Sequence, residues 1–306
     1  MFSATPEHHP MTDSEFRMFC ELIRNHCGLH FTPDSRFLFE KRIARRMIEL
    51  SIGSFAAYHY LLRSERDGGD EMANAVDELT TNETYFFREL SPLRALVNEI
   101  IPEFRARSDR AVSIWSAGCS SGEEPYTILM LAREAGLEPG RDVRVYASDI
   151  SRRVLGKARR GVYREASFRD TESYFRKKYF QEKDGSWWIR DEIKRHVDFI
   201  HLNLVDPAKI AILGPMDVVL CRNVIIYFDV DTKRHVIQTF QEKLKPGGYL
   251  LMGHAESLLN LSNEFELRHL RNDMVYRKPR PGEVPADRWH AAATAAIDRV
   301  DREDRS

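Results

Sequence analysis

The chain has 306 residues, enough for about two domains at ~150 residues each. Its formal net charge is −1, with 42% hydrophobic and 10% aromatic residues, a folded globular composition without the basic excess of a general nucleic-acid binder. No apolar run approaches the ~20 residues needed to span a bilayer.

In chain order, residues 1–11 contain His and Pro and no apolar segment, so they do not read as a signal peptide, and the first ten read as a loose tail. Thr12 and Glu15 are spaced for a capping box. Phe16, Phe19, Cys20 and Ile23 then fall on one helical face, and Gly28 is the stop. Thr32-Pro33 opens a second helix that runs to about Leu50 and ends at Gly53. A third helix is predicted over 55–63. Gly68-Gly69 reads as a break before a fourth, over 71–79. Residues 11–80 are therefore expected to form an all-helical unit. On the second helix, Lys41, Arg42, Arg45 and Arg46 lie within about 140° of the circumference at ~100° per residue. Phe39, Ile43, Met47 and Leu50 lie opposite. Such a basic face suits an acidic partner; an ordinary solvated face has the same pattern.

From residue 111 the pattern changes. Strands are predicted at 112–115, 143–147 and 217–221, each followed by a helix, the latter two over 151–160 and 231–244. Pro246-Gly247-Gly248 reads as a turn into a strand at 249–252, and 265–269 with 274–277 as a hairpin. Strands alternating with helices imply a parallel sheet. Residues 161–200 break the rhythm. Strand-like runs at 187–190 and 197–200 suggest a small antiparallel insertion there. Residues 278–282 read as a linker, and an Ala-rich helix is predicted over 288–300. The cysteines, at 20, 27, 119 and 221, have no metal spacing and are expected as free thiols of a cytoplasmic protein.

Three segments carry polar groups where chemistry is expected. Ligands of open α/β sheets bind beyond the C-terminal ends of the strands. The turn Gly118-Cys119-Ser120-Ser121-Gly122-Glu123-Glu124 lies there, with Asp149 ending the next strand. It lacks the G-x-G-x-x-G of a dinucleotide site and the lysine of a P-loop. Glu123 and Glu124 would repel a pyrophosphate and favour a cationic ligand, while Asp149 could accept hydrogen bonds from a ribose. A small-residue turn that merely packs helix on strand has the same look. Thr80 to Glu89 joins the helical unit to the sheet and offers Asn82, Thr84 and Arg88 beside the aromatics at 85–87. A capped helix end followed by core aromatics reads equally well there. Arg222, Asn223 and Tyr227 follow a buried strand, where a charged Arg is rarer in a purely structural role.

Together these segments resemble one family. T-x-N-x-T-x-F-F-R-E at 80–89, S-x-G-x-S-x-G-E-E-P-Y at 116–126, A-S-D-I at 147–150, C-R-N-V-x-I-Y-F-D at 221–229 and L-K-P-G-G-x-L-x-x-G-H-x-E-S at 244–257 are similar to the chemotaxis-receptor methyltransferases, the CheR family. Gly118-Cys119 is a mild departure, and the resemblance covers about residues 11–278. It implies an α/β fold: a helical receptor-docking domain at 11–80, an interdomain segment at 81–92, and a Rossmann-like class I methyltransferase domain at 93–278. A small antiparallel β-subdomain at about 161–200 would be inserted in that domain, and a tail at 279–306 would lie outside the resemblance.

The implied activity is transfer of a methyl group from S-adenosylmethionine to glutamate carboxylates of chemoreceptors, leaving S-adenosylhomocysteine. Carried over by position, Asn82, Thr84, Arg88, Glu124, Asp149, Asn203, Leu204, Arg222 and Asn223 would hold the cofactor. Arg88 and Tyr227 would lie close to the transferred methyl, and Lys41, Arg42, Arg45 and Arg46 would dock the receptor helices. A glutamate with a pKa near ~4.3 is already a nucleophile at pH 7, so no general base and no metal are expected. Neither nucleic acid nor membrane insertion is expected. The short turn at 181–186 suggests a member that does not need a tethered receptor pentapeptide. A module that senses S-adenosylmethionine without turnover is the alternative; intact Arg88, Asp149, Arg222, Asn223 and Tyr227 favour an enzyme.

Overall fold

A computed structural model describes residues 10–64 and 68–283. The predicted helix at 288–300 lies outside the described residues.

The first helices follow local signals. In α1 (Asp13–Cys27) the Thr12 hydroxyl accepts the Glu15 N–H, and the Glu15 carboxylate accepts the Thr12 N–H at 2.8 Å, a complete capping box. Gly28 ends the helix at φ 78°, and a Cβ there would lie 2.6 Å from Thr232. After a 3-10 turn at Pro33–Ser35 comes α2 (Arg36–Glu49), then α3 (Phe55–Arg63) and α4 (Gly68–Leu79). Gly68 and Gly69 thus begin the fourth helix rather than interrupt the chain before it. The four helices share one core, which includes Phe19, Ile23, Phe39, Ile43 and Tyr58.

Helices α5 (Leu90–Ala95) and α6 (Ile101–Arg105), joined by a π turn, lead into the sheet domain. There β1 (Val112–Ala117), α7 (Glu123–Glu134), β2 (Val143–Asp149) and α8 (Arg152–Arg160) follow in order. An insertion then contributes β3 (Val162–Tyr163), α9 (Ser173–Tyr179), β4 (Phe180–Lys183) and β5 (Ser186–Ile189). The chain returns through α10 (Asp191–Lys194), β6 (Val197–His201), α11 (Pro207–Ile210), β7 (Met216–Cys221), α12 (Val230–Lys243) and β8 (Leu244–Met252). The hairpin of β9 (Glu266–His269) and β10 (Met274–Arg277) completes it.

The main sheet has the order β6-β2-β1-β7-β8-β10-β9, parallel from β6 to β8 with the antiparallel hairpin at one edge. The chain builds outward from β1 through β2 to β6, then crosses to β7 on the other side of β1. That switch opens a crevice at the C-terminal ends of β1 and β7. The insertion is an antiparallel sheet ordered β3-β5-β4. Its expected extent is corrected: residues 197–201 pair in parallel with β2 and belong to the main sheet. Likewise, Pro246-Gly247-Gly248 is no turn before a strand. It lies inside β8, where the register with β7 shifts between Met216 and Val218. All four cysteines are free. Among the described residues no helix is long and apolar enough to cross a membrane.

Candidate cofactor cleft

A cleft of about 1010 Å³, partly open to solvent, occupies the crevice beyond β1, β2 and β7. Its walls come from the turn after β1, the segment 80–88 and the loop after β7, with Cys27 and Leu29 of the helical unit closing one side. The units are joined there by an isolated bridge between Leu29 and Phe228, and by an Asn203 Nδ2 bond to the His26 carbonyl at 2.6 Å. Asn82, Thr84, Arg88, Glu124, Asp149, Asn203, Leu204, Arg222, Asn223 and Tyr227 all line this one cleft, so the structure brings together every residue expected there.

Asp149 ends β2 with its carboxylate buried. Oδ1 accepts the Ser151 N–H at 2.9 Å and Oδ2 the Ser120 N–H at 2.8 Å. Burial pushes its pKa up to about 6, against the pull of these two N–H groups. A carboxylate has about four acceptor positions, so each oxygen can take one further donor. Glu124, in the first turn of α7, accepts the Ser116 hydroxyl at 2.7 Å and the Arg222 guanidinium at 2.9 Å. Arg222 is only 3% exposed at its side chain. It also donates to the Arg88 and Glu89 carbonyls at 2.7 and 2.9 Å and to the Glu89 carboxylate at 3.3 Å. It therefore ties the interdomain segment to the end of β7.

Asn223 adopts φ 59° and donates through Nδ2 to Glu89 at 3.2 Å. Glu256 cradles the same loop. Its carboxylate accepts the N–H groups of Asn223, Val224 and Gly253 at 2.7, 3.0 and 2.9 Å. Burial raises the Glu256 pKa and these N–H groups pull it back. Left-handed backbone collects at this site: Phe87, Ser120 and Asn223 line the cleft, Glu89 adjoins it, and all four have positive φ. Such conformations persist where surrounding contacts over-determine them.

Glu89 and Glu256 received no role from the sequence, although both stand inside quoted motifs. Their partners lie 134 and 33 residues away, so only the folded chain shows what they hold. Glu123 needs a correction. It is 2% exposed, bonds to the Ser121 and Ser167 hydroxyls, and lies outside the cleft lining. Of the two carboxylates in that turn only Glu124 lines the cleft.

The expected basic face of α2 also changes. Arg46 grips Glu71 at 3.0 and 2.6 Å, and Arg42 donates to the Leu79 carbonyl at 2.6 Å. Both bonds turn inward onto α4, while Arg42 and Arg46 stay partly exposed. Arg45 pairs with Glu78 but stays 57% exposed at its side chain. Lys41 is exposed.

The lining fits S-adenosylmethionine. Its cationic sulfur and ammonium suit a cleft that holds Glu124 and Asp149. The spare acceptor positions of Asp149 suit ribose hydroxyls, and Leu202, Leu204 and Ile150 offer an apolar wall for a base. Among the described residues no group of three His, Cys, Asp or Glu could hold a metal ion.

Comparison with known proteins gives the family. The family model described as CheR methyltransferase, SAM binding domain, matches residues 82–274, and that described as CheR methyltransferase, all-alpha domain, matches 14–80. "Chemotaxis protein methyltransferase 2" of Vibrio cholerae is 37% identical over 276 residues, covering 89% of this chain and 95% of that protein. "Chemotaxis protein methyltransferase" of Escherichia coli is 37% identical over 263 residues, covering 84% and 89%. The protein of the same name from Salmonella typhimurium is 35% identical over 263 residues, covering 84% and 88%.

Proposed function

Because the chain belongs to the CheR methyltransferase family, we propose that this S-adenosylmethionine-dependent chemotaxis methyltransferase acts on glutamate side chains of chemoreceptors and forms glutamate methyl esters. The observation that carries the reading is the single cleft in which Asp149 and Glu124 share a lining with Arg88 and Tyr227.

When bound, the donor supplies a methyl group on a cationic sulfur, open to direct attack by a nucleophile. Asp149 holds the ribose hydroxyls through its two spare acceptor positions. Asn203 and Leu204 border the base, and Asn82 and Thr84 close the wall from the interdomain segment. Glu124, paired with Arg222, faces the cationic part of the ligand, while Arg222 and Asn223 hold the walls in register. Arg88 orients the incoming carboxylate, and Tyr227 donates a positioning hydrogen bond. The nucleophile needs no deprotonation at pH 7. Rate enhancement then comes from alignment and exclusion of water.

The receptor docks against the exposed cations that remain on α2, Lys41 and Arg45. The β4–β5 hairpin turns on only Asp184 and Gly185, at φ 51° and 68°. So compact a turn supports a member that does not require a tethered receptor pentapeptide; tight binding of that peptide in titration would overturn this point. The activity is tested with methyl-labelled S-adenosylmethionine and receptor-containing membranes. Label on the receptor that base releases as methanol is expected. No label, or label stable to base, defeats the reading.

A further inference from the structure

The three-stranded insertion contributes no residue to the cleft lining, yet it grips one of the cleft's walls. Asn82, Glu83, Thr84, Tyr85, Phe87 and Arg88 line the cleft from the interdomain segment. That segment is fastened from outside by Arg169, at the end of the 3-10 turn Glu165–Phe168. The Arg169 guanidinium donates to the Glu83 carboxylate at 2.8 Å and lies 3.7 Å from the centre of the Tyr85 ring.

Its effect reaches Arg88 in two ways. Arg88 donates to the Glu83 carbonyl at 2.8 Å, and its guanidinium lies 5.8 Å from the same Tyr85 ring. Beneath this clamp the Phe86 N–H donates to the Ser167 carbonyl at 2.9 Å, and the Phe86 ring stacks on Phe168 at 5.1 Å. Phe87 next to it has φ 64°, a conformation that needs external support.

We propose that Arg169 is a positioning residue for the donor cleft: by clamping Glu83 and Tyr85 from the insertion, it fixes the 82–88 wall and sets cofactor affinity without touching the ligand. The inference rests on the reading that this cleft binds S-adenosylmethionine.

Arg169 is 49% exposed at its side chain, and ion pairs of that kind add little to folding. Loss of its side chain therefore leaves a folded protein to measure. The test is calorimetric titration of S-adenosylhomocysteine into the full chain as wild type, Arg169→Ala and Arg169→Lys, with thermal midpoints taken without ligand. Arg169→Ala is expected to raise Kd about fivefold, the size of a lost exposed cation–π contact and ion pair. Arg169→Lys should recover part of this, because it keeps a charge near Glu83 but lacks a planar group to stack on Tyr85. The donor KM should rise by more than kcat falls, and the ligand-free midpoints should differ by no more than about 2–4 °C, the shift expected from ~1 kcal/mol. A wild-type Kd in Arg169→Ala overturns the inference alone. So does weakened binding that comes with a ligand-free midpoint lowered by more than that, since it marks a merely structural role. A wild type that does not bind overturns the reading of the cleft, and the inference with it.

Discussion

The guanidinium of Arg222 meets the carboxylate of Glu124 at 2.9 Å across 98 residues of sequence, inside a wall where the Arg222 side chain is almost fully buried. A second carboxylate, Glu89, and two backbone carbonyls accept from its other terminal nitrogen, while Nε has no hydrogen-bond partner. Removing one partner of a buried pair leaves the other charge without compensation, at about 3–5 kcal/mol. Arg222→Ala should therefore lose stability of that order in urea unfolding, as well as cofactor binding. Arg222→Lys should rescue little, because an ammonium cannot span four acceptors in one plane. A stable Arg222→Ala protein that has lost only ligand affinity would show that the residue serves the ligand and not the wall.

Asp149 gives a pH dependence with a definite sign. Burial raises its folded pKa to about 6, above the ~3.9 of an exposed aspartate. The folded chain thus keeps a proton that the unfolded chain has already lost. This contribution to stability is complete below about pH 4 and disappears as pH rises through about 6. Ligand binding runs the other way. Ribose hydroxyls donate to the ionised carboxylate, so affinity for S-adenosylhomocysteine should rise from about pH 5 to 7 and then level off. Asp149→Asn should abolish that rise and weaken binding at pH 7 by about 1.5–3 kcal/mol, the usual worth of a bond to a charged group. Calorimetry across the pH range is the check, and an unchanged slope in the Asn variant would refute the assignment.

What could be read from the sequence was what local chemistry decides. Thr12, Glu15 and Gly28 fix the ends of α1 by themselves, and the strand-end position of Asp149 follows from one βα unit. The quoted motifs hold Asn82, Thr84, Arg88, Glu124, Asp149, Arg222, Asn223 and Tyr227, each at a strand end or in the interdomain segment, whereas Asn203 and Leu204 lie outside them. Residues 162–163 and 180–183 were missed as strands. They are short or polar, and pairing with β5 is what holds them. The place of residues 197–201 in the main sheet depends on β2, some fifty residues earlier. The inward turn of Arg46 depends on Glu71, on another helix. Helical periodicity gives the face of a side chain but not the neighbour that covers it.

Arg88 and Tyr227 should separate chemistry from folding. Tyr227 is half-buried, and its backbone carbonyl accepts the His30 N–H at 2.9 Å, a bond that Tyr227→Phe retains. Loss of the hydroxyl should slow methyl transfer by up to about 100-fold, the effect of poorer alignment. Unfolding free energy should change by no more than about 0.5 kcal/mol, as for substitutions clear of the core. Arg88→Ala should behave alike, with an added rise in the receptor KM. Initial rates at saturating donor, set beside urea curves, decide the matter, and wild-type turnover in both variants would remove these residues from the reacting centre.

The basic residues of α2 should divide into two classes. Burial raises the Glu71 carboxyl, but bonds from Arg46, Tyr58 and Asn74 outweigh it and leave the pKa below its ordinary value. A lowered folded pKa contributes stability that is present above the ordinary carboxylate range and is lost as pH falls through the folded value. Arg46→Ala should therefore cost about 3 kcal/mol at pH 7, the low end for a largely buried pair, and less in acid. Lys41→Glu and Arg45→Glu should instead leave a folded protein, because both side chains reach solvent. Their effect should be on receptor capture: weaker co-sedimentation with receptor membranes at low salt, and a smaller difference from wild type as salt screens the attraction. If Arg46→Ala proved as stable as wild type while Lys41→Glu captured receptor normally at low salt, the division would be the wrong way round, and the docking surface would have to be sought on another face of the helical unit.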